Sequence, residues 1–78
     1  MLRLEMHKEN SKEVVYNYFP EHEKDSGTLL INKDNGKISV IEVAKSDQFN
    51  RYLHHAVARL EKYYESKKYL KNDTIAWY

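Results

Sequence analysis

The feature that most constrains this chain is one long stretch with helical periodicity in its second half. Apolar residues recur there at i, i+3, i+4 and i+7, which places them on one face of an α-helix. No Gly or Pro interrupts the stretch, and Ser46 and Asp47 supply an N-cap and a first-turn acid. We therefore predict an amphipathic helix from this cap to about Tyr69. Its apolar stripe consists of Phe49, Tyr52, Leu53, Ala56, Val57, Leu60, Tyr63 and Tyr64.

The segments before the helix have the composition of β-strands. Residues 14–19 are rich in β-branched and aromatic side chains and stop at Pro20. Residues 28–32 and 37–44 flank a Lys-Asp-Asn-Gly turn at 33–36, whose Gly supplies a positive φ. We predict an α+β fold in which a three-stranded antiparallel β-meander packs on one long C-terminal helix. The tail at 74–78 can add a short extra strand.

The length of the 33–36 loop decides which apolar residues of its hairpin share a face. With a two- or four-residue loop, one face carries Leu29, Ile31, Ile38 and Val40. The opposite face then carries Leu30, Ile41 and Val43. A three-residue loop with a bulge instead joins Leu29 and Ile31 to Ile41 and Val43. We favour the even loop, because it brings two adjacent apolar cross-strand pairs together.

Length and composition limit both stability and function. The 78 residues correspond to one small domain, and the absence of cysteine removes disulfides and thiolate metal sites. Leu2, Leu4 and Met6 alternate as in a short strand, but residues 7–12 are highly charged. We expect residues 1–12 to be a flexible N-terminal segment, and residues 13–78 to form a single α+β domain. Thirteen basic and twelve acidic residues give a net charge of +1, which provides no general attraction to nucleic acid.

The sequence contains no visible membrane or targeting signal. Its apolar runs, such as residues 29–31, are far shorter than the ~20 residues that span a bilayer. The first six residues lack the apolar core and the cleavage site of a signal peptide. We therefore expect a cytoplasmic protein without membrane contact.

Two short motifs fail on geometry as catalytic or metal sites. Glu42 and Lys45 resemble the acid-x-Lys pair of a large superfamily of metal-dependent nucleases, but they are three positions apart, and a regular strand sends them to opposite faces. His54 and His55 diverge by about 100° on a helix, so they cannot bind one ion together. We predict no catalytic residue, no metal, no cofactor and no small-molecule ligand.

One face of the predicted helix carries basic side chains at i, i+4 and i, i+3 spacing. They are Arg51, His55, Arg59 and Lys62. Such a row can lie along phosphates, although charged helix faces are usual and Glu61 and Glu65 are nearby. Weak nucleic-acid binding by this face is the alternative function.

The leading hypothesis comes from apolar residues that one helix cannot cover. Both sheet faces carry such residues, so the terminal segments or another chain must shield the second face. We expect a non-catalytic protein–protein interaction or self-association module, with homodimerisation as the specific prediction. The candidate surface consists of Tyr16, Tyr18, Leu30, Ile41, Val43, Trp77 and Tyr78. The strand aromatics Tyr16, Tyr18 and Phe19 are alternatively core residues or a base-stacking platform.

Several short motifs run through residues 14–78. They are Tyr16-x-Tyr18-Phe19-Pro20-Glu21, Gly27-Thr28 with Asn32-Lys33-x-x-Gly36, Arg51-Tyr52-x-His54-His55-Ala56, and Thr74-Ile75-Ala76-Trp77-Tyr78. In these motifs the chain resembles small proteins of unknown function from Gram-positive bacteria and their prophages. The resemblance implies an accessory protein of a prophage or mobile element, and it transfers no catalytic residues.

Overall fold

The computed structural model describes residues 1–21 and 24–76, which form one antiparallel sheet and one helix. The elements are β1 (Leu2–Glu9), β2 (Glu13–Pro20), β3 (Gly27–Asn32), β4 (Ile38–Glu42), a 3₁₀ turn (Gln48–Asn50), α1 (Arg51–Ser66) and β5 (Asn72–Ile75). The strands lie in the order β4-β3-β2-β1-β5, and every neighbouring pair is antiparallel. The predicted α+β class with one C-terminal helix is confirmed.

The meander has four strands, so the prediction of three was wrong. The additional strand is β1, which lies in the segment that we expected to be flexible. Leu2 and Leu4 are fully buried there, while Arg3 between them is exposed. Residues 7–9 are all exposed, yet Lys8 and Glu9 pair with Val15 and Val14 beyond a register shift. Part of the charged stretch that suggests a solvated linker therefore belongs to a paired strand.

A short extra strand forms near the C-terminus, as we predicted, but it begins at Asn72 instead of Thr74. In β5, Ile75 pairs with Leu2 and Asn72 pairs with Glu5. Ile75 is buried, so this short strand also completes the core. Trp77 and Tyr78 lie outside the described residues.

The hairpin between β3 and β4 has the even loop that the apolar pattern favours. Leu29 pairs with Val40, and Ile31 pairs with Ile38. The Asn32 N–H donates to the Lys37 carbonyl at 2.9 Å, which leaves the four residues 33–36 as the loop.

The core lies between α1 and one face of the sheet. Strand alternation directs every second residue of β1, β2 and β3 toward the helix. The buried strand residues on this face are Leu2, Leu4, Val14, Tyr16, Tyr18, Leu29 and Ile31. From the helix, the core receives Leu53, Ala56, Leu60 and Tyr63.

The helix is shorter at both ends than the periodicity predicts. It begins at Arg51 and ends at Ser66, where Lys67 adopts a positive φ of 58° and its N–H bonds the carbonyls of Tyr63 and Tyr64. Phe49, which we placed in the apolar stripe, precedes the helix and is 89% exposed. Within residues 1–21 and 24–76, no helix is long and apolar enough to cross a membrane.

Candidate functional site

Exposed apolar side chains are concentrated in β4 and the connection that follows it. Of the six large apolar residues that are exposed in the described parts of the chain, four lie between positions 40 and 49. They are Val40, Ile41, Val43 and Phe49. Single exposed apolar residues are ordinary, but four of them within ten positions of an edge strand and its connection are candidates for contact with another chain. We call these four residues the 40–49 surface.

β4 is an edge strand of the sheet. It pairs with β3 on one side, and no other strand within the described residues pairs with its outer side. An edge strand presents backbone N–H and C=O groups that can pair with another chain. Residues 38–42 contain no Lys or Pro, the residues that commonly protect such edges.

A β-bulge interrupts the pairing of β4 near its end. Leu29 pairs with Val40, but the next pair joins Thr28 to Glu42, so Ile41 has no partner in the ladder. Bulges bend a strand and re-aim its side chains, and they are frequent beside functional sites. Here the bulge leaves the Ile41 side chain 58% exposed.

A buried hydrogen-bond cluster holds the connection between β4 and α1. The Tyr18 hydroxyl accepts a bond from the Ala44 N–H at 3.0 Å and donates to Asp47 Oδ2 at 3.2 Å. The Asp47 carboxylate also accepts the N–H groups of Tyr52 and Leu53 at 2.9 and 2.8 Å. Asp47 therefore caps the helix across the 3₁₀ turn. Burial raises the pKa of Tyr18 to about 12, so its hydroxyl remains a donor at neutral pH.

Strained backbone presents the aromatic ring of this surface. Phe49 and Asn50 have positive φ angles of 64° and 56°. Asn tolerates this region, whereas a bulky aromatic residue rarely occupies it. Such strain costs of order 1–3 kcal/mol and clusters at functional positions. The chain thus holds Phe49 in an unfavourable conformation while leaving its ring in solvent.

Two residues of the predicted interaction surface belong to the core instead. Tyr16 and Tyr18 are fully buried, because their positions in β2 face α1. Their hydroxyl groups bond inside the protein, Tyr16 to the Leu70 carbonyl at 2.7 Å and Tyr18 within the Asp47 cluster. Neither ring is available to a partner or to a nucleic-acid base, so this part of the prediction was wrong.

The other predicted surface residues have different exposures. Leu30 is half-buried beside Val15, its cross-strand partner, on the face away from the helix. Ile41 and Val43 are exposed and belong to the 40–49 surface. Trp77 and Tyr78 fall outside the part of the chain that the structure describes. Val40 and Phe49 were not predicted as surface residues, because their spacing in the sequence places both with buried positions.

Polar contacts shield part of the sheet face opposite the helix. The Arg3 guanidinium carbon lies 4.4 Å from the centre of the Phe19 ring. The Thr28 hydroxyl bonds to Asn17 Oδ1 at 3.0 Å. The middle of this face is therefore a small apolar area with polar neighbours. The more exposed apolar side chains lie toward the edge at β4.

The predicted basic row does not form one uniform ridge. Arg59 Nη1 lies 2.8 Å from Asp73 Oδ2, and the Tyr63 hydroxyl donates to the same oxygen. His55 is half-buried, while Arg51 and Lys62 are exposed. Burial is the main cause that raises the pKa of Tyr63, and its bond to Asp73 adds to the effect. The pairing of Asp73 with the helix could not be found from local spacing.

Comparison with known proteins identified no relative of this chain. No family model, no curated protein and no solved structure matches the chain. Among residues 1–21 and 24–76, no group of three or more His, Cys, Asp or Glu side chains is arranged to hold a metal ion. We therefore infer function from the surfaces of the chain.

Proposed function

We propose that this chain is a non-catalytic interaction module that associates with a second copy of itself through β4 and the connection that follows. The supporting observation is the concentration of exposed apolar side chains at a sheet edge whose outer side has no strand partner in the described residues. Burying apolar area contributes about 25 cal/mol per Å². Contact through the 40–49 surface is therefore favourable without any charged partner.

A second copy of the chain suits this edge because β4 of one copy can pair with β4 of the other. Two copies of β4 can approach in antiparallel orientation about a two-fold axis, so that each residue set meets the same set on the partner. Exposed Val40 and Ile41 of both copies then share the interface. The net charge of +1 gives only weak repulsion between copies.

The test is the molar mass of the chain as a function of concentration. Sedimentation equilibrium between ~5 and ~200 µM should show a rise from the monomer mass of 9.4 kDa toward twice that value. Val40→Lys or Ile41→Lys should shift the midpoint of the monomer–dimer transition at least about tenfold to higher concentration. Each substitution removes an apolar contact and places one positive charge on each copy, so two like charges meet at the interface.

Leu70→Lys is the matched control. Leu70 and Val40 are both 47% exposed, but Leu70 follows the helix and lies outside the 40–49 surface. The control should dimerise like the unmodified chain. A chain that remains monomeric to ~200 µM, or an equal shift in all three variants, contradicts the proposal. A role as an accessory protein of a prophage or mobile element, which the resemblance implies, stays a prediction.

A further inference from the structure

A groove between α1 and the C-terminal segment forms a second surface. One cleft of about 480 Å³ is lined by Arg59, Lys62, Tyr63, Ser66, Lys68 and Leu70. A smaller cleft of about 110 Å³ is lined by His55, Ala58, Arg59, Lys62 and Ile75. The two share Arg59 and Lys62, so they adjoin along the helix. We call them together the basic groove.

The charge of the basic groove has one sign. Its charged lining residues are Arg59, Lys62 and Lys68, and no acidic residue lines either cleft. Asp73 holds Arg59 from one side. Among the described residues, neither Lys62 nor Lys68 forms an ion pair, and both are exposed. These two ammonium groups are therefore available to an anionic ligand.

The side of the basic groove opposite the helix consists of the segment after α1 and of β5, which is an edge strand. The Tyr16 hydroxyl bonds to the Leu70 carbonyl at 2.7 Å, which holds the segment between α1 and β5. β5 pairs with β1 on its inner side, and no described strand pairs with its outer side. Ile75 of β5 also lines the groove. Backbone groups that can accept a strand thus lie beside the cationic side chains.

We propose that the basic groove binds an extended acidic peptide that adds to β5 as a further strand. Along the helix, the groove runs from His55 to Ser66, which is about 16 Å at 1.5 Å per residue. About five residues of extended chain cover the same distance. Backbone pairing with β5 supplies affinity, while acidic side chains at alternate positions reach the lysines.

Nucleic acid fits this groove less well. Single strands bind on exposed aromatic rings as well as on cations. The aromatic side chain that lines the groove, Tyr63, is 4% exposed and its hydroxyl is bound to Asp73. The ring is therefore closed to base stacking, whereas an acidic peptide needs only the cations and the strand edge.

The probe is a fluorescein-labelled octapeptide of alternating Glu and Thr, followed by fluorescence anisotropy. A peptide with Gln in place of each Glu tests the charge, and one with a central Pro tests the backbone pairing, because Pro lacks an N–H. We expect each change to weaken binding at least about fivefold. A thymidine decamer, as a single strand, is the nucleic-acid probe and should bind more weakly than the Glu peptide.

Matched variants of the protein complete the test. Lys62→Glu with Lys68→Glu should weaken binding of the Glu peptide at least about tenfold, since two attractive charges become repulsive. Lys24→Glu with Lys45→Glu makes the same change in net charge at exposed loop positions and should leave binding unchanged. Lys62→Gln with Lys68→Gln should cause a smaller loss in the same direction.

Three outcomes overturn the proposal. If the Glu and Gln peptides bind equally well, charge does not determine binding. If the Pro peptide binds as well as the Glu peptide, the peptide does not add to β5 as a strand. Tighter binding of the decamer assigns the groove to nucleic acid. Far-UV circular dichroism of each variant establishes that it is folded. Ile41→Lys should bind the peptide normally, which separates this groove from the self-association surface.

Discussion

Replacing Tyr18 by Phe removes one hydroxyl from the cluster that joins β2 to the start of α1. That hydroxyl accepts the Ala44 N–H and donates to the Asp47 carboxylate. Ala44 is 2% exposed and Asp47 is 5% exposed. Water therefore cannot easily replace either bond without a local opening of the structure.

The cost follows from what the substitution leaves behind. A buried N–H without an acceptor costs about 1–3 kcal/mol, and a hydrogen bond to a charged group contributes about 1.5–3 kcal/mol. Because the two share one oxygen and are not additive, we expect a loss of about 2–4 kcal/mol. A domain of this length has a total unfolding free energy of about 4–12 kcal/mol. The expected loss is a large part of that total and lowers Tm by about 10–25 °C.

The assay is urea unfolding followed by far-UV circular dichroism, with Tyr52→Phe as the control. The Tyr52 hydroxyl donates to Glu21 Oε1 at 2.7 Å in an exposed position. The same chemical change there should cost less than about 1 kcal/mol. If Tyr18→Phe is no less stable than Tyr52→Phe, the cluster does not stabilise the connection and the reasoning is refuted.

Two further predictions concern the core tyrosines and the hairpin loop. Burial raises the pKa values of Tyr16, Tyr18 and Tyr63 above 10, that of Tyr18 to about 12. Their contribution to stability is complete below pH 10 and is lost as the pH rises through the raised values. In a titration followed at 295 nm, these three of the seven tyrosines should ionise only together with alkaline unfolding, and titration of all seven near pH 10 in a folded chain contradicts this. Gly36 has a φ of +75°, and a Cβ there would lie 2.6 Å from a Tyr64 ring carbon, so Gly36→Ala should lower the unfolding free energy by about 1–3 kcal/mol. Ser11→Ala, in the other exposed hairpin loop, should change it by less than about 0.5 kcal/mol, and equal losses in the two variants contradict the role of Gly36.

Elements that depend on local pattern were predictable from the sequence. The helix has its periodicity within one continuous stretch, and the β3–β4 register follows from a turn of four residues. In contrast, β1 depends on partners far along the chain, since it pairs with β2 and with β5. The alternation of Leu2, Leu4 and Met6 indicates a short strand, but the charged residues that follow Met6 do not continue it. Local composition therefore favoured a linker.

The candidate surface could be predicted only in part. Ile41 and Val43 were assigned to it because the even hairpin register excludes them from the helix face. Phe49 has the spacing of a core residue, but positive φ angles at Phe49 and Asn50 turn the chain just before the helix. Asn tolerates such an angle, but nothing at Phe49 indicates one. The Asp47 carboxylate likewise accepts N–H groups five and six residues along the chain, beyond the usual spacing of an N-cap.

Both proposed surfaces follow from the width of the sheet relative to its one helix. Five strands at about 4.8 Å spacing are about 19 Å wide, whereas a helix with its side chains is about 10–12 Å across. The main contacts of α1 are accordingly with β1, β2 and β3. The edges at β4 and β5 extend beyond the part of the sheet that the helix covers. The edge at β4 carries exposed apolar side chains, and the edge at β5 lies beside basic side chains. Because the two edges lie on opposite sides of the sheet, a charge placed at Ile41 should affect self-association alone, and charge reversal at Lys62 and Lys68 should affect peptide binding alone.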